Sequence, residues 1–163
     1  MRRHLLLVAG LLILLAVNWS IYQREQLLAH GRVVLLELAP VDPRSLMQGD
    51  YMALRFRVAA DVQRLRRGED LRDGHLVVAV DGRGVGSFRR LDDATPLAAD
   101  EVSLRYRVRG DQLKFATNAF FFQEGAAPRY QPARYGEFRV GDNGDMILTG
   151  LRGESLEPLG QPG

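Results

Sequence analysis

"HLVVAVDGRGVGSFRRL", His75 to Leu91, decides the fold class. Two apolar runs flank Asp81-Gly82. A tight two-residue turn needs positive φ, so Asp-Gly between such runs signals a β-hairpin. The stretch also contains Gly82, Gly84 and Gly86, but no helical pattern opens after them, so the dinucleotide-binding fingerprint fails.

The same grammar repeats on the carboxy-terminal side. "VSLRYRV" (Val102–Val108) and "QLKFAT" (Gln112–Thr117) flank "RGDQ", a second hairpin. "GEFRVGDNGDMILTGL" (Gly136–Leu151) turns at Asn143-Gly144, a third. Its "GDNGD" has the composition of a calcium loop but lacks the ligand register and the closing Glu. On the amino-terminal side, "RVVLLELAP" (Arg32–Pro40) is a short, continuous apolar run of the kind a buried strand carries. "YMALRFRV" (Tyr51–Val58) alternates, with Met52, Leu54, Phe56 and Val58 on one face, and predicts a half-buried strand. "AADVQRLRRG" predicts a short helix closed by Gly68. Pro128 fits the first turn of another, limited by Pro132. The predicted fold is mainly β, a sandwich or partly open barrel of about eight strands with one or two short helices.

Ahead of this domain, no residue from Leu5 to Tyr22 is charged. That is about the shortest helix that spans a hydrocarbon core of ~30 Å. Arg2 and Arg3 precede it, and Trp19 and Tyr22 stand at its far end, a positive-inside flank and an interfacial aromatic belt. A cleaved signal peptide needs a small-x-small site, and Ala16-Val17-Asn18 matches it poorly. The expectation is a single signal-anchor in a bacterial inner membrane, amino terminus cytoplasmic and domain periplasmic. Gln23 to His30 continues the helix as a short stalk ended by Gly31. The expected divisions are 1–30, anchor and stalk; 31–157, β-rich domain; 158–163, flexible tail.

Composition narrows the functions. With no cysteine, there is no disulfide framework and no thiolate metal or redox site. His4, His30 and His75 show no ligand spacing, so no metal and no cofactor is expected. Lys and Arg total 22 against 20 Asp and Glu, and Arg2 and Arg3 account for the excess. No concentrated basic footprint remains for phosphate counterions, which excludes nucleic acid as a partner.

"DPRSLMQGDYMALRF" (Asp42–Phe56) holds the most distinctive motif. Gly49 supplies positive φ and Asp50 accepts free backbone N–H groups, a turn at a strand mouth. "GDYMALRF" resembles the namesake motif of the GDYXXLXY family of bacterial membrane-anchored proteins. Gly49, Asp50, Tyr51 and Leu54 match, whereas Phe56 replaces the family's second Tyr. "FFFQEG", "ARYGEFRV" and "LTGLRGE" resemble its carboxy-terminal block. The resemblance implies location and a multi-pass membrane partner rather than a reaction.

The second block adds Glu124, Tyr130, Arg134, Tyr135 and Glu137 to Gly49, Asp50, Tyr51 and Leu54 as candidate interaction residues. For its charges, a salt-bridge network that pins a long loop is the preferred reading. "FFF" (Phe120–Phe122) is expected in the core. The leading expectation is a membrane-anchored periplasmic accessory protein without catalysis of its own. One alternative is a membrane-tethered hydrolase using Ser45 as nucleophile and Lys114, the only lysine, as base. A weaker alternative would pair Asp50 and Glu124 as acid and base in glycoside hydrolysis. A small-ligand or glycan binder stacking on Tyr130 and Tyr135 is the third reading.

Overall fold

The computed structural model describes residues 2–39, 47–48, 51–66, 72–110 and 112–160. Helix α1 (Arg2–His30) leads into β1 (Arg32–Glu37), β2 (Met47–Gln48), β3 (Tyr51–Ala53) and helix α2 (Arg57–Leu65). The chain continues through β4 (Gly74–Val80), β5 (Val85–Leu91), β6 (Glu101–Arg109), β7 (Gln112–Lys114) and β8 (Ala119–Phe121). The one-turn helix α3 (Ala127–Tyr130), β9 (Tyr135–Val140) and β10 (Met146–Arg152) complete it.

The strands form a curled half-barrel sheet in the order β10-β9-β1-β5-β4-β6-β7, and a small sheet β2-β3-β8. The chain is mainly β, as expected. All three predicted hairpins are present, but the first turns over Asp81–Gly84 rather than over Asp81-Gly82 alone. In the first, Gly84 takes φ +85° and the Asp81 carboxylate accepts the N–H groups of Arg83 and Val85, each at 2.9 Å. In the third, Gly144 takes φ +77° and Asn143 Oδ1 accepts the Asp145 N–H at 3.0 Å. That loop also binds β6, whose Arg105 N–H donates to the Gly144 carbonyl at 2.8 Å.

Strand β1 is buried where it passes through the middle, with Val34 and Leu36 facing the main core and Leu35 the other side. It pairs antiparallel with β9 and parallel with β5. The parallel contact was not predicted, because β1 and β5 are joined through the small sheet, α2 and β4. Gly86 permits it: a Cβ there would lie 3.0 Å from Val34 and 3.2 Å from Leu36.

The alternating stretch Tyr51–Val58 is a strand only as far as Ala53. Phe56 makes an isolated bridge to Leu38, and α2 starts at Arg57, one residue before the predicted strand ends. The apolar set is still right, since Met52, Leu54, Phe56 and Val58 are all buried. Alternation specified the buried face; the turn into α2 then let Val58 and Val62 cover the sheet as a helix face. Ten strands are described rather than about eight, the extra ones being two- and three-residue pieces of the small sheet. Pro128 does occupy the first turn of α3.

Phe56 joins the layers. It is 1% exposed and meets Phe115 and Phe138 edge-on, at ring-centroid distances of 5.7 and 5.3 Å. A Cβ at Gly136 would lie 2.9 Å from the same ring. The aromatic ring, not a hydroxyl, is what this position supplies to packing.

The two ends of the β domain add further detail. Pro158 bridges Arg152, Leu159 donates its N–H to Leu151, and the Leu159 side chain packs on the core. The chain is therefore still paired where a flexible tail was expected to begin. Gly31 follows the end of α1, as expected, and does so without a positive φ. A Cβ there would collide with the Leu27 carbonyl oxygen and lie 3.2 Å from Arg139. Among the described residues no helix is long and apolar enough to cross a membrane.

Phe56→Ala should destabilise the full chain by about 3–5 kcal/mol, as expected for emptying a buried aromatic site. Chemical denaturation reads this directly, and a loss below about 1 kcal/mol would contradict a joining role for the ring.

Candidate functional site

The two sequence blocks meet. Strand β3 pairs antiparallel with β8, setting Tyr51 opposite Phe121, Met52 opposite Phe120 and Ala53 opposite Ala119. Tyr51 and Phe121 contact at a centroid distance of 5.9 Å. Phe121 is 74% exposed, so the expectation that all of Phe120–Phe122 is core holds only for its flanks. Strand alternation explains this. Phe120 and Phe122 turn inward against the core and Phe121 turns out.

The Tyr130 ring packs against Phe120 at 4.9 Å and Phe122 at 5.4 Å. Helix α3 thus pins the β8 segment from outside, and Tyr130's ring is used by the protein itself. Leu54 is buried, so its part in the motif is packing rather than contact. Glu124 stands exposed in the turn after β8.

The remaining candidates belong to the large sheet. Glu137 pairs with Arg152 and accepts from the Thr149 hydroxyl at 3.2 Å. Tyr135 lies in register with Glu37 and Arg152, and Arg134 is exposed while its backbone links Leu38 to Arg152. The Glu137–Arg152 ion pair ties β9 to β10. Ser45, Gly49 and Asp50 lie outside the described residues.

Lys114 is placed elsewhere, in an open cleft of about 880 Å³ between the end of α1 and the β6–β7 edge. None of the other described candidates lines it. Arg107 does, and it lies opposite Lys114 in the β6–β7 register. Trp19, Tyr22 and Arg24 of α1 form the facing wall. Sequence reasoning missed Arg107, although counting outward from the "RGDQ" turn gives its register. It also missed Phe121, which simple alternation within the triple Phe would have exposed.

The fold and the joined blocks agree with one comparison. The family profile of the GDYXXLXY protein matches residues 13–151. This chain belongs to the GDYXXLXY family. The matched region runs from within α1 to β10, so part of the helix is included with the β domain. No curated protein and no solved structure matches the chain.

Asp73 interacts with the charge of Arg107, one of the cations lining the cleft. Its carboxyl is held below the ordinary carboxylate value, first because the Val108 N–H donates to it at 2.7 Å. Partial desolvation opposes this, and the Arg109 and Arg107 charges add to it. A depressed folded-state pKa stabilises the fold above the ordinary carboxylate range, and that stability disappears as pH falls through the folded value. Asp73→Asn should therefore be less stable than the parent at neutral pH, with the gap closing below about pH 4. Thermal melts across that range check it; a gap that stays constant to low pH would contradict the assignment.

Proposed function

We propose that this family member is a membrane-anchored periplasmic accessory protein that docks a multi-pass membrane protein through the small sheet. The observation that carries this reading is the surface of α1. Leu11, Leu12, Ile13, Leu14 and Leu15 are each 58–65% exposed. Successive helical residues are about 100° apart, so these five residues face every direction around the axis. No side of this segment is covered by the protein. A helix that is apolar all round belongs inside other apolar matter, lipid or a bundle of helices.

The uncharged run in the sequence begins at Leu5, and the described side chains begin only at Val8. With Leu5, Leu6 and Leu7 counted, the run to Tyr22 has spanning length. The Arg2-Arg3 flank supports an amino terminus in the cytoplasm. The domain begins at β1, directly after the stalk, so a span ending near Tyr22 holds the domain against the bilayer surface. Its nearest targets are then membrane proteins and lipid.

Phe121, exposed and in contact with the half-buried Tyr51, supplies the kind of aromatic anchor that interfaces concentrate. Both residues lie in the blocks that carry the family resemblance, which implies the class of partner. The docking face is therefore the outer surface of β3 and β8.

Phe121→Ser removes the anchor without touching the core. Recovery of a multi-pass protein with the tagged full chain from its own membranes in mild detergent should fall at least about tenfold, the effect of losing a modest hot spot. The melting temperature should stay close to the parent's. Undiminished recovery, or a collapse in stability, would contradict the assignment.

A further inference from the structure

The cleft beside α1 has a chemistry that accessory docking does not use. Arg24, Arg32, Arg105, Arg107 and Lys114 line it, against Asp142 and Asp145. Asp145 is committed to Arg105 at 3.1 Å and to Asn143 at 2.9 Å. Arg32 donates to the carbonyls of Ala99 and Glu101. Arg107 and Lys114 are left as direct cross-strand neighbours of like charge. Such a pair is unfavourable unless an anion lies between them. Among the described residues no carboxylate is within ion-pair distance of either. Asp73, whose charge Arg107 feels, is already bonded to Val108 and paired with Arg109.

The opposite wall is aromatic. Trp19 and Tyr22 lie 6.1 Å apart by ring centroids, at the end of the apolar run. Side chains of this kind mark the level of lipid headgroups. With α1 as the membrane span, the cleft sets two cations that make no ion pair among the described residues level with the bilayer's phosphate layer, in a space within the usual range of small-ligand sites. Guanidinium and ammonium together match a phosphodiester, the first by its fork and the second as a point charge.

We propose that this cleft holds the phosphodiester headgroup of an anionic phospholipid, clamped by Arg107 and Lys114 with Arg24 at the stalk side. The proposal rests on α1 being the membrane span. Its role would be to fix the domain's orientation on the bilayer, so that the small sheet faces the same way in every copy.

Trp19 is the only tryptophan and lines this cleft, so the chain's tryptophan fluorescence comes from its wall. The full chain is reconstituted in phosphatidylcholine bilayers containing brominated phosphatidylglycerol or brominated phosphatidylcholine as the minor lipid. The expected result is preferential quenching by the glycerol lipid, with a selectivity of about fivefold for each cation that reaches the headgroup. Arg107→Gln combined with Lys114→Gln should remove the preference and keep the phosphatidylcholine quenching, which shows that the variant is folded and inserted. Arg24→Gln should lower it in part. Equal quenching by both lipids in the parent would overturn the headgroup site while leaving the anchor intact. Quenching by neither would overturn the anchor, and this site with it. A preference abolished by inorganic phosphate at constant ionic strength would assign the cleft to a soluble phosphate and overturn the lipid.

Discussion

The parallel contact between β1 and β5 is the joint on which the domain depends. On one side of it lies the β9–β10 hairpin, and on the other β4, β5, β6 and β7. Strand β1 alone connects them within the large sheet. The joint closes because Gly86 has no side chain to hold Val34 and Leu36 away. It is also the first element after the stalk, so the same strand carries the load between α1 and the domain. Arg139 of the neighbouring β9 strengthens that junction by donating to the Gly31 carbonyl at 3.1 Å.

From this joint the layers follow. The concave face presents Val34, Leu36, Leu76, Val78, Leu104 and Phe138, and α2 with the β3 segment fills it. Phe56 stands where these layers meet. The small sheet is held against the core by Met52, Phe120 and Phe122, and Tyr130 closes it from the outside. One consequence is that Tyr51 and Phe121 have rigid support while facing outward. A second is that the β6–β7 edge lies beside the stalk, bringing Arg107 and Lys114 under Trp19 and Tyr22. The two proposed surfaces use different residues and different chemistry, one aromatic and one cationic.

The local rules were legible wherever a short segment determined its own conformation. Asp81-Gly82, the "RGDQ" turn and Asn143-Gly144 each mark a hairpin, because turn residues and flanking apolar runs act over a few residues. Met52, Leu54, Phe56 and Val58 were legible as a buried set for the same reason. What was not legible depended on distant partners. The turn from strand to helix at Phe56 follows from its bridge to Leu38, and the parallel β1–β5 pairing from the path through α2 and β4. Of the candidate site, the meeting of the two blocks is a pairing of β3 with β8 that no local signal announces. Glu137 and Tyr130 are the types of residue found at sites, but Arg152, Phe120 and Phe122 use them for structure.

The central claim is that α1 fixes the β domain to the outer face of a membrane. The chain contains no cysteine, so a single introduced one is an unambiguous label site. Glu124, exposed in the domain, and Arg3, ahead of the apolar run, are each replaced by Cys in separate full-length chains. Intact spheroplasts are then treated with a membrane-impermeant maleimide. The account predicts that Glu124→Cys is labelled in intact spheroplasts, and that Arg3→Cys is labelled only after lysis, with both proteins in the membrane fraction. The reverse pattern, or recovery of the chain in the soluble fraction, would contradict it.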